Sequence, residues 1–297
     1  MIKRTLYFGN PAYLKTHQEQ LVAELVERKE VKTVPVEDIG VLILDHQQIT
    51  ITQALLAKLL ANNTAVITCN ATHHPTGLLL NLDGHTLQSQ RFKAQIDASL
   101  PLKKQLWQQT IMAKIKNQAN LFSHKNIPNK PLINLITKVR SGDSDNCEAH
   151  AAAYYWKHLF PDFLQFKRMR EGAPPNNLLN YGYAILRAIV ARSLVGSGLL
   201  PTLGIFHRNQ YNAYCLADDI MEPYRPYVDR VVWDIVAMNG RFLEMTPNMK
   251  QLLLSIPVMD VMIDGEKSPL MIAVQRTTAS LAKCFEQASK KLLYPEL

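Results

Sequence analysis

The sequence predicts an α+β protein in which a strand-rich first part is followed by an all-α remainder. Short extended runs separated by turns fill the first ninety residues, as expected of strands. From Arg91 onward the apolar residues recur at helical spacing instead. The 297 residues suffice for one large or two modest domains with ample core. The change of pattern makes Gly84 to Arg91 the best boundary, which divides the chain into residues 1–88 and 89–297.

The strand-rich part contains one clear helix. Thr52 is placed to cap a helix whose leucines share one face, and Asn62-Asn63 ends it. Gln18 to Glu30 fits either a pair of strands or a helix. The predicted strands are RTLYFG, AYLKTHQ and KTVPV near the N-terminus, Gly40 to Leu44, Ala65 to Cys69 and Leu78 to Leu82.

The second part opens with an amphipathic helix, PLKKQLWQQTIMAKIKNQANLF. Its aliphatic residues and Trp107 lie on or near one face, and lysines occupy the rest. Pro223 has no N–H for the carbonyl of Asp219, so we expect a kink there. The other predicted helices are LINLITKVR, an alanine-rich helix ending before Pro161, a long apolar one from Asn180 to Gly196, a short acidic one beyond Ala213, and Val231 to Met238, Leu252 to Ile256 and Ser268 to Lys291.

Basic residues are concentrated in one segment. The net charge is +8, yet residues 91–140 hold ten Lys or Arg against a single acid, Asp97. A segment this basic attracts polyanions, because each phosphate contact releases counterions. A solvated face that merely aids solubility would mix both signs, so a nucleic-acid partner is favoured. The candidate phosphate contacts are Lys103, Lys104, Lys114, Lys116, Arg168 and Arg170.

The cysteines and the apolar runs exclude other classes of protein. Four cysteines are scattered without a CxxC pair, which disfavours a disulfide framework or a zinc knuckle and favours reduced, buried thiols. No apolar run reaches the length of a membrane span, and the N-terminus lacks the apolar core of a signal peptide. We therefore expect a cytoplasmic protein with no membrane partner.

An acidic stretch between Phe206 and Pro226 indicates a metal site. His207 precedes a short helix on which Asp219 and Glu222 are three positions apart, and Asp218 and Glu222 are four apart. Either pair of acids shares one helical face. Like charges at this spacing repel, and a divalent cation reverses the sign of that interaction. One histidine with hard carboxylate oxygens suits Mn²⁺ or Mg²⁺ better than structural zinc.

Glu148 is the best candidate for a remote ligand of that ion. It lies near the start of an alanine-rich helix, where small neighbours shield a carboxylate poorly and let other groups approach. The expected site is therefore Glu148, His207 and Glu222, with Asp219 as a fourth ligand or a supporting group. Each residue alone also has an ordinary explanation, since acids in a first helical turn commonly face the helix dipole and a lone histidine is commonly solvated.

Four ordered motifs resemble those of the CRISPR-associated integrases, protein one of that system. They are EAHAAAYYW (Glu148 to Trp156), NNLLNYGYAIL (Asn176 to Leu186), GLLPTLGIFHRNQ (Gly198 to Gln210) and LADDIMEPYRP (Leu216 to Pro226). The resemblance covers nearly the whole chain and is greatest to members from type II systems. It implies that the family's metal-binding glutamate, histidine and third acid fall on Glu148, His207 and Glu222. A further acid of the family falls on Asp219, and Asp218 stays an alternative.

The same resemblance implies a fold, an activity and partners. The family has an N-terminal β-sandwich-like dimerisation domain, here residues 1–88, and an α-helical catalytic domain, here residues 89–297. Its homodimers flank a dimer of the small protein two of the system, and together they insert short DNA duplexes into the CRISPR array, the adaptation step of antiviral defence. The type II effector nuclease is a further candidate partner.

The implied reaction is attack of a 3′-hydroxyl on a repeat phosphodiester of double-stranded DNA, assisted by Mn²⁺ or Mg²⁺. It needs no ATP, and the sequence has no GxxxxGK phosphate loop. Two other functions stay open at this stage. One is a structure-specific nuclease on branched DNA, in which water replaces the hydroxyl at the same site. The other is a basic DNA-binding scaffold without catalysis.

Overall fold

The structure is a computed structural model that describes residues 3–25, 28–161, 163, 166–169 and 172–297. A strand-rich first part precedes the long helices, which confirms the predicted α+β class. The predicted boundary between residues 88 and 89 falls at the start of a helix, Gln88–Ile96, and stays a prediction.

Two sheets form the first part. One contains β1 (Arg4–Phe8), β5 (Ile39–Leu44), β7 (Ala65–Cys69) and β8 (Pro75–Leu79) in that order, and its first three strands run parallel. The other contains β4 (Glu30–Pro35), β3 (Gln20–Leu25), β2 (Ala12–His17) and β6 (Ile49–Ile51) in that order. Helix α1 (Gln53–Ala61) connects β6 to β7.

In the segment Gln18 to Glu30, which fitted either a pair of strands or a helix, the described residues include β3 and the first residue of β4. His17 of β2 pairs with Gln20 of β3, so a two-residue turn connects these strands. Gln18 and Glu19 both have positive φ, at 44° and 59°. Positive φ at both central residues is the conformation of a type I′ turn, which matches the twist of the flanking strands. The strand interpretation is therefore the correct one.

A first hydrophobic core lies between the two sheets and α1. It contains Leu14 from one sheet, Leu42 from the other and Leu55 from the helix, all fully buried. Each such side chain stabilises the fold by about 2 kcal/mol relative to exposure. The Thr52 hydroxyl accepts the Leu55 N–H at 3.4 Å, which confirms the predicted cap.

Helices make up most of the remainder, and α3 (Leu100–His124) runs through it as the predicted amphipathic helix. Its Leu106, Trp107, Ile111 and Ile115 are fully buried. The others are α2 (Gln88–Ile96), α4 (Lys130–Ile136), α5 (Cys147–Leu159), α6 (Asn176–Gly196), α7 (Cys215–Met221), α8 (Arg225–Asn239), α9 (Pro247–Leu254) and α10 (Leu270–Phe285).

Helix α6 is the centre of the second hydrophobic core. Among the described residues it is the one helix long and apolar enough to cross a membrane, and 83% of its most apolar window is buried inside the fold. Such burial is typical of a core helix. The second core also takes in Val41, Ile43 and Ile67 from β5 and β7, so the first sheet packs on α1 with one face and on the helices with the other.

A small third sheet interrupts the helical part. It contains β10 (Glu266–Pro269), β9 (Asp260–Ile263) and β11 (Pro295–Glu296) in that order. The predicted helix over Ser268 to Lys291 is shorter at both ends, because Ser268 and Pro269 belong to β10 and α10 ends at Phe285. The turn between β9 and β10 is Asp264-Gly265, with φ of 54° and 77°, which is a type I′ hairpin turn.

A buried aspartate joins the two parts of the chain. Asp45, just after β5, is 1% exposed. Its Oδ2 accepts from the Tyr7 hydroxyl at 2.6 Å and from Lys250 Nζ of α9 at 2.9 Å, and its Oδ1 lies 2.9 Å from His73 Nδ1. Burial would raise the pKa of Asp45, but these partners lower it below the ordinary value. The carboxylate is thus satisfied by groups from both parts.

Candidate functional site

Two acids from distant segments meet at one lysine. Glu148 Oε1 of α5 and Glu222 Oε2 each lie 2.6 Å from Nζ of Lys114 in α3. Glu148 is partly exposed, whereas the side chains of Lys114 and Glu222 are largely buried. Burial alone would lower the pKa of Lys114, but the charges of Glu222 and Glu148 outweigh it and raise that pKa. The predicted remote ligand therefore does lie beside the acid of the 206–226 stretch.

The N-terminus of α5 positions Glu148. Both carboxylate oxygens of Asp143 accept backbone N–H groups, from Cys147 at 2.9 Å and from Glu148 at 3.0 Å. The Asp143 side chain therefore caps this helix, and Asn146, the residue before the helix, adopts a left-handed conformation with φ of 53° that turns the chain. Glu148 is consequently fixed in the first turn, at the positive end of the helix dipole.

A break in the helix positions Glu222. Helix α7 ends at Met221, a 3₁₀ turn spans Glu222–Tyr224, and α8 begins at Arg225. The kink predicted at Pro223 is thus confirmed. Arg225 Nε lies 3.0 Å from Glu222 Oε1. Both contacts of Glu222 have the distances of ion pairs but lack the alignment of hydrogen bonds. Burial alone would raise the pKa of Glu222, but the positive charges of Arg225 and Lys114 outweigh that effect and hold the pKa below its ordinary value.

Asp219 fixes the ring of His207. Its Oδ2 accepts the N–H groups of Ile205 at 2.7 Å and Phe206 at 2.9 Å, and its Oδ1 accepts the N–H of His207 at 3.3 Å. The same Oδ1 lies 2.5 Å from His207 Nδ1. Asp219 is fully buried, and its four partners all present N–H groups. This engagement favours the supporting role for Asp219 over direct metal binding.

The bond to Asp219 determines the tautomer and the charge of His207. A carboxylate at Nδ1 keeps the proton on that nitrogen and leaves Nε2 as the atom with a free electron pair. The hydrogen bond to Asp219 raises the pKa of His207 against the effect of burial, and the charges of Glu222 and Glu148 raise it further.

Aromatic packing and a glycine hold the His207 loop in place. The Trp107 ring stacks on Phe206 with centroids 4.2 Å apart, and the His207 ring meets it at nearly a right angle with centroids 5.6 Å apart. A Cβ at Gly204 would lie 2.4 Å from the His207 carbonyl oxygen and 2.7 Å from Asp219 Oδ2. Only glycine lets the loop approach Asp219 this closely.

Asp218, the alternative acid, faces another partner. Its Oδ1 accepts from Arg187 Nε and its Oδ2 from Asn212 Nδ2, both at 2.7 Å. Neither of these two contacts involves the His207 ring or Lys114. The Asp218 carboxylate therefore serves the loop around Asn212, which favours Asp219 as the acid that supports the site.

The candidate phosphate contacts are distributed unevenly. Lys104 is exposed and Lys103 half-buried, while exposed Lys116 pairs with Glu296 at 2.8 Å. Lys114 does not lie on the basic outer surface as predicted, since it is buried between the two glutamates. Arg168 Nη2 donates to Asn180 Oδ1 at 2.6 Å. Arg170 lies outside the described residues.

The donor set fits a divalent cation in its chemistry. Two carboxylates and an imidazole with its Nδ1 engaged are ligands that Mn²⁺ and Mg²⁺ accept. Glu222 Oε2 is buried without an aligned hydrogen bond, although the Lys114 ammonium lies 2.6 Å from it. As placed, however, no three His, Cys, Asp or Glu side chains of the described residues are close enough to surround one ion. Lys114 stands between the two glutamates instead.

Several residues of the site were not predicted from the sequence, although the spacing of two of them indicates their roles. Lys114 follows Trp107 by seven positions and Ile111 by three, a spacing that places it on the buried face of α3. Arg225 follows Glu222 by three positions, which is ion-pair spacing on a helix. Gly204 and Asp143 had no such signal, because their roles depend on contacts with other segments.

The sequence of the chain is similar to those of known proteins. The family model described as CRISPR associated protein Cas1 matches residues 6–242. The CRISPR-associated endonuclease Cas1 of Neisseria meningitidis serogroup C (strain 8013) is 36% identical over 300 residues, covering 100% of this chain and 97% of the relative.

Solved structures share the fold. A casposase bound to an integration product superposes with a TM-score of 0.78 at 18% identity, covering 98% of this chain and 92% of the other. A chain of a Cas6-RT-Cas1–Cas2 complex gives a TM-score of 0.77 at 20% identity, covering 100% of this chain and 37% of the other. At these identities the likeness establishes the arrangement of helices and strands.

Proposed function

Since this chain belongs to the Cas1 family, we propose that it is a metal-dependent DNA integrase and endonuclease. It inserts short duplexes into a CRISPR array when a 3′-hydroxyl attacks a repeat phosphodiester. The observation that supports this most directly is the convergence of Glu148 and Glu222 on one cationic group, beside a histidine whose Nδ1 is held by a buried carboxylate. Carboxylates that are far apart in sequence rarely converge without a charge to share.

The residues of the site have three proposed roles, which are to hold the metal ion, to orient the histidine and to balance charge. Glu148, Glu222 and Nε2 of His207 would hold Mn²⁺ or Mg²⁺, which when bound polarises the phosphoryl oxygen and stabilises the attacking and leaving oxygens. Asp219 orients the imidazole and keeps the proton on Nδ1. Arg225 balances the charge of Glu222 from the other side. Asp218 has no part in this assignment.

The basic surface of α3 would hold the DNA. Lys103, Lys104 and Lys116, together with Arg168, would contact phosphates and position the duplex without reading bases. Arg170 is proposed with them on sequence grounds. The assembly would be a homodimer formed through residues 1–88, with residues 89–297 as the catalytic part. Two such dimers would flank a dimer of protein two of the system, the Cas2 named in the related complex.

A nuclease acting on branched DNA is the second candidate function. The relative from Neisseria meningitidis bears the name endonuclease, and water can replace the 3′-hydroxyl at the same site. Hydrolysis and joining differ only in the nucleophile, so their products distinguish them. A predominance of hydrolysed strands with the partner present would favour the nuclease.

The test is a strand-transfer reaction with a short duplex, protein two and a supercoiled plasmid bearing a repeat. We expect joined products with Mn²⁺ or Mg²⁺ and none with EDTA. Glu148→Gln, His207→Ala and Glu222→Gln should each abolish joining and leave duplex binding nearly intact. Glu286→Gln is the matched control, because its carboxylate pairs with Arg91 instead. Retained joining in two of the three site variants would refute the assignment, and duplex binding without any metal-dependent product would favour a scaffold.

A further inference from the structure

Lys114 is buried at the centre of the candidate site. It is 8% exposed and is flanked on α3 by Ile111 and Ile115, which are fully buried. A buried ammonium is costly unless it is paired. Here its Nζ lies 2.6 Å from Glu148 Oε1 and 2.6 Å from Glu222 Oε2, so each acid contributes one oxygen to the same positive charge.

The charges around this ammonium are already balanced. Glu148 and Glu222 supply two negative charges, and Lys114 and Arg225 supply two positive ones. A divalent ion added to this set would leave an excess of two positive charges in a buried place. Releasing one of the existing cationic contacts as the ion enters would reduce that excess to one positive charge.

The geometry indicates which contact is given up. Of the two glutamates, Arg225 contacts only Glu222, through Oε1. Lys114 is the group that both proposed ligands share, and it contacts Glu222 through the other oxygen, Oε2. That contact lacks hydrogen-bond alignment, so charge rather than direction holds it. An ion bridging the two glutamates would need the place that the Lys114 ammonium now fills.

We propose that Lys114 is a built-in substitute for the divalent cation, which neutralises Glu148 and Glu222 until the ion displaces it. This inference depends on the proposed metal site and adds a competing cation to it. Two consequences follow from the competition. Removing the Lys114 charge strengthens metal binding, and it destabilises the metal-free protein because two facing carboxylates lose their shared counter-charge.

The test compares Lys114→Met with wild type in Mn²⁺ titrations followed by calorimetry, and in thermal unfolding with EDTA. We expect Lys114→Met to bind Mn²⁺ about 10- to 100-fold more tightly, the usual range for two coupled binding events. The midpoint temperature of its thermal unfolding in EDTA should fall below that of wild type. Saturation with Mn²⁺ should raise this midpoint by more than it raises that of wild type. Lys125→Met is the matched control. Lys125 follows the same helix and is similarly shielded, but it pairs with Asp234, so its Mn²⁺ affinity should equal that of wild type.

Equal or weaker Mn²⁺ binding by Lys114→Met would overturn the inference, since Lys114 would then help to arrange the ligands. If that variant does not fold, Lys114→Gln serves in its place, because it keeps a neutral N–H donor, and the same two outcomes apply. Wild type that binds Mn²⁺ but joins no strands would refute the proposed integration and leave this inference standing. Wild type that joins strands, with Lys114→Met binding no more tightly, would refute this inference alone.

Discussion

Replacing Asp219 by Asn tests how the site orients its histidine. The carboxylate accepts two backbone N–H groups at Oδ2, from Ile205 and Phe206, and the N–H and Nδ1 of His207 at Oδ1. An asparagine of the same shape has one oxygen and one NH₂ group. The NH₂ group then faces two donors, and where it takes the place of Oδ1, His207 relieves only one of these clashes by moving its proton to Nε2 and accepting through Nδ1.

The expected cost follows from these contacts. A hydrogen bond to a charged group contributes about 1.5–3 kcal/mol, and Asp219→Asn weakens two such bonds in a fully buried place. We therefore expect the free energy of unfolding to fall by about 3 kcal/mol. Asp218→Asn is the matched control. It loses its charge next to Arg187, whose side chain is 43% exposed, so its cost should be about 1 kcal/mol.

Urea unfolding without metal measures both costs, and NMR of the imidazole follows His207 directly. The pKa of His207 should fall towards its ordinary value in Asp219→Asn, because the Asp219 hydrogen bond is the main cause that raises it. Wild type loses the stability of this pair as the pH rises through the folded pKa of His207, and Asp219→Asn should lack that loss. Equal destabilisation by the two variants, or an unchanged His207 pKa in Asp219→Asn, would refute the reasoning.

Three further predictions concern the support of the site. Burial raises the pKa of Asp229 to about 6, above the usual value of about 3.9. The folded state therefore holds that proton more tightly, and its contribution to stability should fall by roughly 3 kcal/mol as the pH rises from about 4 to 6. Asp229→Asn should remove this slope in urea unfolding. Asn117 donates to the Pro223 and Pro295 carbonyls at 2.8 and 3.0 Å and accepts from Leu297 at 3.1 Å. Asn117→Leu should cost about 3 kcal/mol, against about 1 for Asn120→Leu, which loses a single bond; equal costs would contradict this role. Gly204→Ala should destabilise by about 2 kcal/mol and weaken Mn²⁺ binding, and an unchanged affinity would show that the loop tolerates the added Cβ.

Periodicity made most elements of the fold predictable. The leucines of α1 and the apolar side of α3 repeat at helical spacing, and the apolar run Gly40 to Leu44 is a buried strand. The third sheet was missed because β9 and β10 have only four residues each and bear exposed charges. Asp264-Gly265 was nevertheless a hairpin signal.

The acids of the site were easier to predict than their counter-charges. Glu148 stands out as a carboxylate among alanines and Glu222 as one of a group of acids on a short helix, and the family motifs point to the same positions. The spacing of Lys114 from Trp107 and Ile111 places it on the buried face of α3, but it does not reveal which carboxylates of neighbouring helices lie opposite. Such a pairing depends on tertiary distances that spacing along one segment does not contain.

The contacts of Asp45 restrict movement between the sheets of the first part and helix α9. Swinging the sheets away from α9 would pull Lys250 from a carboxylate with no access to water, and stranding such a charge costs about 3–5 kcal/mol. Rotation at this seam is therefore rare at ambient temperature. In the assembly proposed above, adjustment to differently spaced ends of a duplex would therefore have to come from how whole polypeptides are arranged beside one another.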